Sequence, residues 1–189
     1  MSRVRPEHAR KFRGKAKNIP AQDMFMLPYQ QRWIKDVSIL KLMEKARRIG
    51  ISYGTSYEVV REHAQQENRN DSWYSSRDEA SARINLADCK TFAKALDRGA
   101  QDLGEQVLDE RGGSAHVLRF SNHTDINSVS SNPDVFAGKG GNVVLDEFAL
   151  RLDPRAVYGI ASPSIDWGGR LKIISTHRGS HNYFAELVD

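Results

Sequence analysis

One stretch of the chain carries the residue types that bind phosphate groups: Leu40 to Tyr57, L K L M E K A R R I G I S Y G T S Y. Backbone N–H groups around Gly50 can face an anion where a helix begins, and Ser52 offers a hydroxyl to a magnesium ion. Three basic side chains add positive charge: Lys45, Arg47 and Arg48. The stretch therefore suits a triphosphate. A basic surface turn would look similar, because the usual pattern places lysine directly after the last glycine, where this chain has Ile51.

Two adjacent carboxylates lie about ninety residues further on, in Gly141 to Ala149, G N V V L D E F A. The unbroken apolar run before them is typical of a buried parallel strand, and ligands of α/β sheets bind at the carboxyl ends of such strands. In a nucleotide hydrolase, Asp146 would hold the water shell of magnesium and Glu147 would orient the attacking water. The pair would also suit the cap of a following helix. The presence of both stretches in this order favours the nucleotide interpretation.

The residues of both stretches must be positioned at one edge of a sheet. An apolar run that ends at the basic turn predicts a strand, and a helix is expected from about Thr55 to Gln66. A third buried-looking strand, Arg170 to His177, is expected beside the acidic pair. Its polar end can sense the terminal phosphate and comprises Ser175, Thr176, His177, Arg178 and Gly179.

The rest of the chain alternates predicted strands and helices. These elements are a helix opened by Pro28, a strand over Ser72 to Ser76, a helix from a cap at Asp78 to Gly99, strands over Ala115 to Phe120 and Ile126 to Ser131, and a helix from Asp153 to Ile160. An acidic segment, Gln101 to Glu110, leads to a glycine turn at residues 112 and 113. The alternation predicts an α/β fold, a mostly parallel sheet with helices on both faces. Strands between the basic turn and the acidic pair imply an inserted strand order.

The composition fits one domain without a membrane span. The chain has 189 residues, 39% of them hydrophobic, and no run approaches the roughly 18 apolar residues of a spanning helix. Cys89 is the single cysteine, so a disulfide framework is excluded and a cytosolic setting is expected. Residues 1–20 hold seven of the 28 basic residues and one of the 24 acidic ones, which leaves residues 21–189 with 21 and 23. The first segment is therefore predicted to be a basic, flexible arm, which is equally consistent with a solvated terminus and with nucleic-acid binding.

Four motifs together resemble a known family. These are P Y Q Q R W I (28 to 34), E K A R R I G I S Y (44 to 53), V V L D E F A (143 to 149) and I S T H R G (174 to 179). Their order and spacing resemble the ATPase domain of a tailed-phage terminase large subunit, most closely the Mu-type terminases. Such terminases have a deviant phosphate loop with lysine five residues before the glycine, where Lys45 lies. The resemblance implies a P-loop NTPase fold of the additional-strand, catalytic-glutamate type over residues 21–189.

The resemblance also assigns expected roles to individual positions. It implies a nucleotide-binding set of Tyr29, Gln30, Lys45, Arg47, Arg48, Ile49, Gly50, Ile51 and Ser52. Within this set Gln30 belongs to the adenine-recognition motif, for which an amide suits because it offers both a donor and an acceptor. Arg48 is the expected arginine finger, and Ser52 and Asp146 would hold magnesium. Glu147 would be the catalytic carboxylate, and Ser175 to Gly179 the motif that couples hydrolysis to movement.

The family resemblance implies ATP and Mg²⁺ as cofactors and a motor function. Such motors pull double-stranded DNA into a procapsid as a homo-oligomeric ring on the portal protein, with a small terminase subunit, in the cytoplasm of the bacterial host and without a membrane. Family members continue into a nuclease domain, whereas this chain ends about ten residues after the coupling motif. We therefore expect no DNA cleavage by this chain.

Two other functions remain open at this point. A helicase-type, DNA-stimulated ATPase would share the first two motifs, although it is expected to carry further arginine motifs in a second lobe. A non-hydrolysing DNA-binding or assembly module with a degenerate nucleotide pocket would bind DNA through residues 1–20 without responding to ATP. A metal-dependent nuclease is a weaker third option, because the paired carboxylates lack an obvious third acidic partner.

Overall fold

A seven-stranded sheet forms the centre of the molecule, which we describe from a computed structural model. The description covers residues 25–96, 100–108, 113–130 and 132–189, so the predicted arm over residues 1–20 lies outside the described residues. The strands are β1 (Leu40–Lys45), β2 (Ser72–Ser75), β3 (Ala100–Val107), β4 (Ser114–Phe120), β5 (Asp125–Val129), β6 (Asn142–Asp146) and β7 (Leu171–Thr176). The helices are α1 (Pro28–Lys35), α2 (Ile51–His63), α3 (Glu79–Ala95), α4 (Pro154–Ala161) and α5 (Tyr183–Val188).

The strand order is β1-β7-β6-β2-β5-β4-β3, so β7 lies between the strand of the basic turn and the strand of the acidic pair. The five strands from β1 to β5 in this order pair in parallel, whereas β4 and β3 are antiparallel. The predicted mostly parallel α/β sheet with an inserted strand is therefore confirmed.

Two apolar clusters cover the two faces of the sheet. One consists of side chains from α1, α2 and α3 packed on the sheet, with Tyr57, Phe92 and Val144 among its buried members. The other lies under α4 and α5 and includes Phe148 and Phe184. The unbroken burial of β6 and β7 explains why both read as apolar runs, since helices cover these strands on both faces. Within the described residues, every helix is too short or too polar to span a bilayer.

Several element boundaries match the sequence predictions. Pro28 is the first residue of α1, Pro154 is the first residue of α4, and the Asp78 side chain caps α3 by accepting a hydrogen bond from the Ser81 N–H. The predicted glycine turn includes Gly112, which lies outside the described residues.

Three boundaries differ from the predictions. Helix α2 begins at Ile51 rather than Thr55, because the Gly50 carbonyl already accepts a hydrogen bond from the Gly54 N–H at 3.0 Å. It also ends at His63 rather than Gln66. The acidic segment that begins at Gln101, to which no regular structure was assigned, forms most of β3, an exposed edge strand paired with β4.

Candidate functional site

The basic turn joins β1 to α2 at the carboxyl edge of the sheet. Lys45 is the last residue of β1 and Ile51 the first residue of α2. Gly50 has a φ of 77°, a left-handed conformation that glycine adopts without a steric penalty, and Arg48 has a φ of 60°. This arrangement places the free backbone N–H groups of a helix start directly after the turn, which is a site for an anion.

Lys45 reaches across the inserted strand to the acidic pair. Its Nζ lies 2.5 Å from Oε1 of Glu147, and the two side chains are 6% and 28% exposed. Lys45 pairs in register with Thr176 on β7, and the Thr176 hydroxyl lies 3.3 Å from the other Glu147 oxygen. The structure therefore brings together the turn, the acidic strand and the coupling strand, as the sequence predicts.

Arg47 and Arg48 are placed differently from Lys45. Both side chains are exposed. Among the described residues, no hydrogen bond or ion pair joins either guanidinium to Asp146 or Glu147. The finger role of Arg48 stays a prediction.

Asp146 ends β6 and is held by several donors. Its Oδ1 accepts the Glu147 N–H at 2.9 Å, its other oxygen lies 3.4 Å from the Tyr74 hydroxyl, and the Ser52 hydroxyl also hydrogen-bonds to its carboxylate. Burial raises the pKa of Asp146 above its usual range, while the nearby Lys45 charge and the Ser52 hydrogen bond oppose this rise.

The oxygen atoms of Ser52 and Asp146 fit a hard divalent cation. Mg²⁺ prefers oxygen ligands and is usually bound through one or two protein groups together with water and phosphate oxygens. The hydroxyl and the carboxylate are already in hydrogen-bond contact, so they point at one shared position. A polar cavity of about 210 Å³ opens beside them and is also lined by Ser56, Arg77 and Asn85.

Glu147 follows β6 in a left-handed conformation, with a φ of 51°. A non-glycine residue in this region carries a conformational cost, and such residues are frequent at functional sites. The turn is fastened from β7, because the Ser175 hydroxyl accepts the Ala149 N–H at 2.9 Å.

The remaining residues of the predicted coupling motif lie beyond the end of β7. His177 Nδ1 lies 3.0 Å from a carboxylate oxygen of Glu44, and both side chains are about half exposed. Arg178 is exposed, and Gly179 has a φ of 82°. Of this motif, Ser175 and Thr176 contact the acidic turn, whereas His177 contacts the end of β1.

Tyr29 and Gln30 lie on α1 beside the basic turn. The Tyr29 hydroxyl donates to the carbonyl oxygen of Ile49, and Gln30 Nε2 donates to the carbonyl oxygen of Gly50 at 2.6 Å. Both residues therefore contact the turn itself. Their predicted role at the nucleotide base stays a prediction.

Two residues at this site were not found from the sequence. Tyr74, on β2, is fully buried and contacts Asp146. Arg151 is buried and donates to the carbonyl oxygens of Ser75 at 2.7 Å and of Asp146 at 3.3 Å, and burial lowers its pKa to about 10. Arg151 thus ties the ends of β2 and β6 together. Its charge, five residues beyond the acidic strand, is the only sequence signal for it.

A second, larger cavity lies at the opposite end of β6. It measures about 600 Å³ and is lined mostly by apolar atoms, with Val143, Ile160 and Trp167 among its residues. We place the functional site at the smaller cavity, because that one contains the paired carboxylates and the hydroxyl of Ser52.

Comparison with known proteins identifies relatives of this chain. It is 30% identical over 167 residues to the Mu-like prophage FluMu protein gp28 of Haemophilus influenzae, covering 86% of this chain and 33% of that protein. It is 30% identical over 178 residues to the probable terminase, large subunit gp28, of Escherichia phage Mu, covering 89% and 32%. The chain thus spans about a third of the length of these curated relatives. No protein-family model matches it.

Solved structures show the same fold. A mutant of the Thermus phage P74-26 large terminase ATPase domain matches with a TM-score of 0.60 at 22% identity, over 83% of this chain and 67% of the other. The large terminase of another thermophilic bacteriophage, solved in complex with ADP, matches with a TM-score of 0.62 at 16% identity, over 84% and 40%. These likenesses confirm the predicted P-loop NTPase type of fold.

Proposed function

This chain corresponds to the ATPase region of a Mu-type phage terminase large subunit, and we propose that it is an ATP-hydrolysing motor domain for packaging viral DNA. The observation that supports this most strongly is the contact of Lys45 with Glu147 across the inserted strand. It places a cation, a strained carboxylate and a helix start at one edge of the sheet, where a triphosphate is bound and attacked in such folds.

The proposed phosphate site is the turn and the start of α2. The N–H groups of Gly50, Ile51 and Ser52 would face the phosphate oxygens, and Lys45 would supply charge from the end of β1. The exposed guanidinium groups of Arg47 and Arg48 would approach from the solvent side, with Arg48 as the proposed finger.

We propose that Ser52 and Asp146 hold a magnesium ion, which would supply charge stabilisation to the phosphates. Glu147 would accept a hydrogen bond from a water molecule and orient its oxygen towards the terminal phosphorus. The new bond forms between that oxygen and phosphorus as the bond to the bridging oxygen breaks. Thr176, in contact with Glu147, would sense the loss of the terminal phosphate and pass it to β7.

The proposed partners follow from the family. Double-stranded DNA would be the translocated polymer, the portal protein and the small terminase subunit the assembly partners, and a homo-oligomeric ring the working form. The host cytoplasm is the proposed location. Support comes from the terminase relatives and from the shared fold.

The test is phosphate release from Mg·ATP, measured with and without double-stranded DNA, for the wild type and Glu147→Gln. We expect turnover to fall by about 10² to 10⁴-fold in this variant, because a positioned base typically contributes that much. Glu67→Gln, at an exposed position on the other side of α2, is the matched control and should keep the wild-type rate. If the wild type fails to bind Mg·ATP, the motor proposal is wrong.

A further inference from the structure

Helix α1 contacts two consecutive carbonyl groups of the phosphate loop, defined here as residues 46–50. The Tyr29 hydroxyl donates to the carbonyl of Ile49, and Gln30 Nε2 donates to the carbonyl of Gly50 at 2.6 Å. The Gly50 carbonyl also accepts the Gly54 N–H, the first hydrogen bond of α2. The loop is therefore held from both α1 and α2.

The Gln30 side chain is closed off from solvent. The residue is 0% exposed, and its Oε1 accepts the Leu27 N–H at 2.8 Å. It also packs on the first turn of α2, where a Cβ added to Gly54 would lie 3.4 Å from the Gln30 Cβ. Both ends of the amide are therefore engaged with the main chain, and a nucleotide base has no path to them without displacing α1 or α2.

The geometry of the peptide group turns these contacts into an orientation of the loop. The C=O and the following N–H of a trans peptide lie in one plane and point in opposite directions. The described part of the chain contains no cis peptide bond. Holding the carbonyls of Ile49 and Gly50 against α1 therefore directs the N–H groups of Gly50 and Ile51 away from α1, towards the anion site at the start of α2.

We propose that Tyr29 and Gln30 are positioning residues that aim the N–H groups of the phosphate loop at the triphosphate, and that Gln30 does not select the base. This inference rests on the proposed function, because it requires that the loop bind phosphate. It makes a distinction that the sequence motif alone does not make. A base reader affects nucleotides with the matching base, whereas a loop-positioning residue affects every ligand that carries the phosphate chain.

The experiment compares three ligands by isothermal titration calorimetry: Mg·ATP, Mg·GTP and inorganic tripolyphosphate with Mg²⁺, which has no base. The variants are Tyr29→Phe and Gln30→Met. Tyr29→Phe removes the one hydrogen bond to Ile49, whereas Gln30→Met also removes the hydrogen bond that caps α1. We expect each variant to weaken all three ligands by the same factor, about 5- to 10-fold, as for the loss of one or two hydrogen bonds.

Gln31→Met is the matched control. Gln31 is the next residue of α1, is equally buried and donates to the main chain at Met26 at 2.9 Å, away from the loop. We expect the control to lower the melting temperature as Gln30→Met does, while the three dissociation constants stay at wild-type values.

Three results would overturn the inference. A weaker affinity for Mg·ATP alone, with GTP and tripolyphosphate unchanged, would show that Gln30 reads the base. An equal loss in Gln31→Met would show that any damage to α1 weakens binding. Wild-type affinity in Tyr29→Phe and Gln30→Met would show that the loop orients itself. Failure of the wild type to bind any of the three ligands is a separate result, because it contradicts the proposed function first.

Discussion

Lys45 and Glu147 depend on each other as charged residues in a partly buried site. The Lys45 side chain is 6% exposed, and its ammonium lies 2.5 Å from the Glu147 carboxylate. Removing one partner leaves the other charge poorly solvated, which costs more than the pair contributes when intact. We expect Lys45→Met and Glu147→Gln each to lower the free energy of unfolding by about 1 to 3 kcal/mol.

The double variant gives the coupling between these two residues. If the ion pair is the main interaction of both side chains, the loss in the double variant should be smaller than the sum of the two single losses by about 1 kcal/mol or more. Urea unfolding of the four proteins at one pH measures this difference. Additive losses would contradict the pairing.

The residue-scale predictions stopped where side-chain direction decides the role. The sequence left Lys45, Arg47 and Arg48 equally plausible as phosphate contacts. Lys45 is still part of β1, so the alternation of the strand aims its side chain at the same face as Lys41 and Met43. Arg47 and Arg48 follow the end of the strand, where alternation no longer applies, and both are exposed. The composition of a turn does not contain this information.

Helix α2 is attached to the sheet by a buried ionic cluster, defined here as Lys41, Glu58, Glu62 and Lys172. Glu58 is 3% exposed, and one of its oxygens lies 2.7 Å from the Lys41 ammonium and 3.0 Å from that of Lys172. The two lysines belong to β1 and β7. The cluster therefore joins the helix after the phosphate loop to both the strand before the loop and the coupling strand.

Glu58→Gln should be strongly destabilising, because it removes the negative charge that two buried ammonium groups share. We expect the free energy of unfolding to fall by about 3 to 5 kcal/mol, as when one partner of a buried pair is removed. Glu62→Gln is the comparison, since this carboxylate is more exposed and its loss leaves Lys172 paired with Glu58. Urea denaturation of both variants tests this order, and a larger loss in Glu62→Gln would contradict it.

The elements that cover the site were predicted better than those at the far edge of the sheet. Strands β6 and β7 are buried on both faces, so their sequences are unbroken apolar runs. Strand β3 lies at the sheet edge with most of its residues exposed, and its polar sequence therefore resembles a loop. Helix α2 starts early because a glycine carbonyl and the main chain begin it, not a side-chain cap. Cap patterns in the sequence cannot show such a start.

His63 connects three parts of the whole molecule. It is the last residue of α2, its Nδ1 lies 2.7 Å from the Thr124 hydroxyl, and its Nε2 lies 2.9 Å from the Ser72 hydroxyl. Its ring centroid is 5.2 Å from that of Phe120 on β4. A helix, the central strand β2 and the antiparallel side of the sheet thus meet at one imidazole that is 1% exposed.

This imidazole should make the stability of the whole chain depend on pH. Burial lowers the pKa of His63 to about 4, below the usual value of 6.5 that it regains on unfolding. Between these values the unfolded chain binds a proton that the folded chain does not, so stability is lost as the pH falls from about 6.5 towards 4. The contribution from pH 7 to pH 5 is about 2 kcal/mol.

Comparison with His63→Gln isolates this contribution. Buried carboxyl groups with a raised pKa, such as those of Asp71 and Glu58, act in the opposite direction, but they are common to both proteins and cancel in the difference. We expect the wild type to lose about 2 kcal/mol more of its free energy of unfolding than the variant between pH 7 and pH 5. Urea unfolding at both pH values measures this. Equal losses would show that His63 is protonated in the folded protein at pH 5, and that its two hydroxyl contacts do not keep it neutral.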